Sequence, residues 1–234
     1  MEMHFTNPPV RKDPVVLSYL ALRKFVGIVA FLLPFAVAVP WYLMHHEIET
    51  SISAYYYTAM RTVFTGSLCA IAMFMLGARG YDSKDETFSL LSAICAIGVA
   101  LFPTSPGFPS CRQIDVSYVH YTFAATLFII LAIFCLFLFT MSAGDKRKTE
   151  MKIVRNRIYI ACGMVIVISL ILLPIFVKLV KWNHGGITFE STSLWAFGFA
   201  WMVKGEMFFK DRQDSLARTR TTDGHEFVGD PHPS

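Results

Sequence analysis

FVGIVAFLLPFAVAVPWYLM, residues 25–44, is a run of 20 residues without a charge. As a helix rising ~1.5 Å per residue it spans ~30 Å, the thickness of a bilayer's hydrocarbon core. It therefore reads as a transmembrane helix. Working outward, five more apolar stretches follow, at 60–78, 88–102, 118–141, 158–177 and 187–203. The third and sixth fall short of ~20 residues and must draw flanking polar residues into the membrane to cross it. A chain of 234 residues that is 54% hydrophobic and only 16% charged is no ordinary soluble domain. The expected fold is all-α, a polytopic membrane helix bundle of six transmembrane helices.

The basic residues orient it. With the N-terminus on the cytoplasmic side, 17 of the 21 Lys and Arg fall there, in the tails and even-numbered loops. Arg112, Lys178 and Lys181 fall outside, and Arg61 lies at the outer membrane edge. Cytoplasmic loops carry such an excess, so both termini are expected inside, which requires an even number of spans. The expected organisation is a cytoplasmic segment 1–22, a six-helix domain 23–207 and a disordered polar tail 208–234. The net charge of +4 is thus an orientation signal; no nucleic acid is expected as a partner. The basic loop 144–157 reads as an orientation anchor, or as a contact for anionic lipid headgroups.

Ala36-Val37-Ala38 fits a signal-peptidase pattern, but the apolar run continues to Met44 and 24 residues precede it, so a retained helix is expected, kinked at Pro34 and Pro40. Four of the five cysteines fall inside apolar stretches and Cys111 lies in an outer loop, leaving no outer pair to form a bridge. Ser89, Ser92, Ala93, Ala96 and Ala100 offer a small-residue face for close helix packing. Phe128 to Phe139 reads as facing lipid over much of its circumference.

SISAYYYTAMR, residues 51–61, concentrates six hydroxyls and an arginine at the outer mouth of the second helix. Ser53, Tyr57, Arg61 and Thr65 follow at four-residue steps, one helical face, although Ser53 also suits an N-cap. An arginine at the membrane edge calls for a partner. Glu190 is the candidate, since the sixth span crosses only if that residue lies about one turn below the outer surface. His120 opens the fourth span at comparable depth. The expectation is an outward-facing polar pocket in which Arg61 binds an anionic group, Glu190 balances it, and His120, Tyr57 and Ser53 contribute polar contacts. The ligand class is a lipid headgroup or other small anion, with membrane lipid as the partner. A second reading makes the Arg61–Glu190 pair a lock between helices and nothing more.

Three chemical alternatives are open to such a pocket. A hydrolase acting on lipid esters has a nucleophile, base and acid available in Ser53, His120 and Glu190, without a GxSxG elbow. A small-solute transporter calls for repeats and interrupted helices that the chain lacks. A metal site has His45, His46, Glu47, His120, His184 and Glu190 at hand, but adjacent histidines on a helix point apart and there is no HxxxH or HExxH spacing. No cofactor and no metal are expected.

The 51–58 segment, Arg61-Thr62-Val63-Phe64, His120 and Glu190 together resemble a group of bacterial six-helix membrane proteins of unknown function. More distantly, the layout over residues 23–207 is similar to the damage-regulated autophagy modulator and glycosylphosphatidylinositol-remodelling membrane proteins. The distant group is expected to carry an acid after the serine, where this chain has Ala54. The resemblance implies the six-helix fold, a bacterial inner-membrane location and work on or near lipid headgroups.

Overall fold

The computed structural model describes residues 14–77, 83–105, 116–141 and 150–209, with side chains from Leu20 in the first helix and from Asp85 in the third. Among the described residues there are six α-helices and no strand: α1 Pro14–His45, α2 Arg61–Gly77, α3 Ser83–Leu101, α4 Ser117–Ile133, α5 Glu150–Pro174 and α6 Gly185–Lys204. A single 3-10 turn, Ser53–Tyr57, precedes α2. Each apolar stretch of the sequence maps mainly onto one helix, α4 and α5 being continued by the short π-helical segments Phe134–Leu138 and Ile175–Leu179. Three helical segments, Leu20–His45, Ser117–Leu138 and Glu150–Leu179, are long and apolar enough to cross a membrane.

Every helix packs on its chain neighbours, and α6 returns to pack on α1, closing a ring. On α1 the stripe Val26, Ala30, Leu33 and Val37 is buried, the 4-3-4 spacing that lines one helical face. Both Pro34 and Pro40 lie inside α1. Between α1 and α6 the backbones touch. A Cβ on Gly27 would come within 2.7 Å of the Gly198 carbonyl oxygen, and a Cβ on Gly198 within 2.7 Å of the Gly27 carbonyl oxygen. Without side chains at those two positions the helices approach as close as backbones allow.

The expected small-residue face of α3 is fully buried: Ser89, Ser92, Ala93, Ala96 and Ala100 are at most 3% exposed. In α4 the expectation of a lipid-facing run needs correcting. Ile129 and Phe137 point outward, but Phe134 and Phe139 are buried. Those two rings meet Trp201 of α6 edge-on, with ring centres 5.5–5.8 Å apart, an arrangement aromatic pairs favour.

A second correction concerns 144–157. Residues 150–157 are helical, so Lys152, Arg155 and Arg157 belong to α5; residues 142–149 lie outside the described residues. Cys111, Arg112 and the tail beyond Phe209 lie outside them as well. The bundle's outer surface is apolar, with Leu32, Met73, Ile94, Ile129 and Ile171 all about half exposed or more. On α6, by contrast, most side chains are covered by neighbours.

Candidate functional site

The connections α1–α2, α3–α4 and α5–α6 meet at one end of the bundle, where hydroxyl-bearing residues concentrate. Its organiser is the start of α6. Gly185 and Gly186 are buried. A Cβ on Gly186 would lie 2.5 Å from the Thr50 carbonyl oxygen, so only glycine lets the α1–α2 connection cross there. The Ile187 amide donates to that same Thr50 oxygen at 2.8 Å. One turn later the Glu190 carboxylate accepts the Ile52 amide at 2.7 Å and also the Ser53 amide. These are the first two amides of the 3-10 turn and its lead-in, donors that a helical turn cannot satisfy internally. Glu190 caps them from another helix.

Ser53 is therefore held through its backbone. The local capping serine is Ser51, whose Oγ accepts the Ala54 amide at 3.0 Å. At the far end of the turn Thr58 donates to the Tyr55 carbonyl at 2.9 Å and accepts the Met60 amide at 3.1 Å, steering the chain into α2. Tyr55 is fully buried, and its phenol oxygen accepts the Glu49 amide at 3.4 Å. Burial, with Glu47 beside it, raises the Glu49 carboxyl above the ordinary carboxylate range.

Arg61 and Glu190 do not pair, which corrects the expectation drawn from their shared depth. The Arg61 guanidinium lies 4.1 Å above the Tyr56 ring and donates to the Tyr56 hydroxyl, while its side chain stays exposed. The physical reason is proximity in the chain: Tyr56 is five residues back across the Thr58 turn, and Glu190 is already occupied by amides. The cation–ring contact is worth ~0.5–1 kcal/mol at an exposed site.

Tyr57 and His120 converge on a third element, the 102–104 segment after α3. Tyr57 donates to the Thr104 carbonyl, and Thr104 donates to the Tyr121 hydroxyl at 2.8 Å. His120, 1% exposed, places Nδ1 2.6 Å from the Phe102 carbonyl, so Nδ1 carries the proton. The structure thus joins Ser53 to Glu190 and Tyr57 to His120's support, and leaves Arg61 facing outward. No hydrogen bond links Ser53 to His120 or His120 to Glu190. The geometry of a hydrolytic triad is not formed. Among the described residues no group of three or more His, Cys, Asp or Glu is placed to hold a metal ion.

No protein-family model matches this chain, and neither the curated proteins nor the solved structures contain a match to it.

Proposed function

We propose that the chain is a multi-pass membrane protein crossing six times with both ends in the cytoplasm, and that its hydroxyl-rich outer end binds an anionic lipid headgroup through Arg61. The six crossings are supported by the outer surface, where large hydrophobic side chains on α1 to α5 are about half exposed, as lipid-facing residues would be. The modest hydropathy of α6 is consistent with crossing, because its neighbours rather than lipid cover most of it. The basic excess on one side supports the orientation.

One observation carries the headgroup reading: Arg61 is exposed at the bundle end, propped on the Tyr56 ring, and among the described residues its guanidinium hydrogen-bonds to that tyrosine rather than to a carboxylate. A planar guanidinium so held matches two phosphate oxygens at once. Glu190 acts as the cap that holds the 3-10 turn, and thereby Tyr56, beneath Arg61. Tyr57 and His120 tie that turn to the α3–α4 connection.

Native mass spectrometry of the purified protein, offered equal phosphatidylglycerol and phosphatidylcholine, tests this. A basic residue near a membrane surface contributes ~1 kcal/mol toward anionic lipid, roughly five-fold. Wild type should retain phosphatidylglycerol preferentially, and Arg61→Gln should reduce that preference about that much. An unchanged preference in Arg61→Gln contradicts the proposal.

A further inference from the structure

At the opposite end of the bundle lies a cavity of about 240 Å³, between the start of α1, the end of α4, the start of α5 and the end of α6. Leu20, Phe139, Met141 and Val203 make part of its wall apolar. At ~30 Å³ per water, the space holds roughly eight waters, the size of a small organic molecule. Lys204, the first residue beyond the apolar stretch 187–203, lines it as well.

The Lys204 amine is fixed in place but poorly solvated. Its Nζ donates to the Phe139 carbonyl at 3.1 Å and sits 5.4 Å and 5.8 Å from the Phe139 and Tyr159 ring centres. Among the described residues that carbonyl is its one hydrogen-bond acceptor, whereas an ammonium has three protons to place. A neutral amine keeps the same bond and gains a lone pair. Charged groups act on Lys204 from several elements: Arg23 of α1, Asp85 of α3, and Lys152 and Arg155 of α5, while Glu206 shares the cavity wall. Burial lowers the amine to about 7, with Arg23 adding to the effect, Asp85 opposing it, and Lys152 and Arg155 adding less. At pH 7 an ordinary lysine is neutral in roughly one molecule in 2,500, and an amine at about 7 in roughly half. Burial and neighbouring cations are what turn a lysine into a nucleophile near neutral pH.

We infer that Lys204 is a nucleophilic amine that condenses with a small aldehyde admitted to this cavity. The Nζ lone pair attacks the carbonyl carbon, and the C=O bond opens to a carbinolamine. Loss of one water then leaves a C=N bond, with nothing oxidised or reduced. The apolar part of the wall receives the body of the aldehyde and keeps water from the imine. The site is separate from the Arg61 end and does not depend on headgroup binding there.

The full-length protein in phosphatidylcholine nanodiscs is treated with benzaldehyde and cyanoborohydride, which reduces an imine to a stable secondary amine. Peptide mass spectrometry then quantifies the adduct on each lysine across a pH series. At pH 7 Lys204 should carry about ten-fold more adduct than the exposed Lys178 and Lys181. Its labelling should level off above about 7, where theirs keeps rising. Lys204→Arg, which keeps a cation there, should remove this fast-labelled fraction and leave Lys178 and Lys181 reacting as before. Labelling of Lys204 no faster than that of Lys178 and Lys181 at pH 7, or a fast fraction that survives Lys204→Arg, overturns the inference.

Discussion

The carboxylate of Glu190 holds the amide of Ile52 at 2.7 Å, across 138 positions of chain, and so fastens the α1–α2 connection to the first turns of α6. An acid at a helix start is here a cap for a different element. Its removal strands the amides of Ile52 and Ser53 in a partly buried place.

Glu190→Ala should therefore cost about 2–3 kcal/mol, the range for losing hydrogen bonds to a charged group. The thermal midpoint in detergent falls and amide exchange across 51–57 accelerates. Glu190→Gln, which keeps one acceptor oxygen, should lose less. Unchanged exchange across 51–57 in Glu190→Ala would show that the cap does not hold the turn.

The α1–α6 contact gives a paired prediction. Gly198→Ala places a methyl 2.7 Å from the Gly27 carbonyl oxygen and should cost about 1–3 kcal/mol, since backbone has little room to yield. Gly66→Ala meets nothing within 4 Å and should be neutral or gain up to ~1 kcal/mol from helix propensity. Thermal unfolding of the two variants side by side checks the contrast. Equal effects would remove the close approach as a source of stability.

Glu49 supplies a pH dependence. Its carboxyl, raised by burial and then by Glu47, binds a proton more tightly folded than unfolded. Its contribution is fully present below the ordinary carboxylate value of about 4.5 and is lost as pH rises through the raised value. The α1–α2 connection should exchange more slowly, after correction for intrinsic rates, at mildly acidic than at neutral pH. Glu49→Gln should flatten that profile.

Much of the fold was legible because hydropathy reports where lipid or protein must replace water, and each of the six apolar stretches falls mainly on one helix. Helix ends were less legible. Lys152, Arg155 and Arg157 read as loop because charge marks the edge of hydrocarbon, whereas a helix ladder continues past that edge as long as its amides find partners. For the site, the depth of Glu190 was readable but its partner was not, since backbone amides carry no sequence signature. Arg61 was matched to the nearest acid by charge, yet the folded chain offered an aromatic shelf five residues back.

Topology is open to direct labelling. In a cysteine-free background, Ser105→Cys and Lys181→Cys should react with an impermeant maleimide on intact cells, and Met207→Cys only after permeabilisation. Reaction of all three on intact cells would break the two-sided arrangement.

Arg61 as an outer-leaflet headgroup contact is tested most directly by photo-crosslinking. Protein reconstituted with a phosphatidylglycerol carrying a photoreactive headgroup is irradiated, digested, and the adduct mapped. Wild type should carry it on the peptide spanning 55–65, and Arg61→Gln should lose most of it while keeping any adduct at the basic end. Equal labelling of 55–65 in both proteins, or none in wild type, would contradict the assignment of Arg61 to headgroup binding.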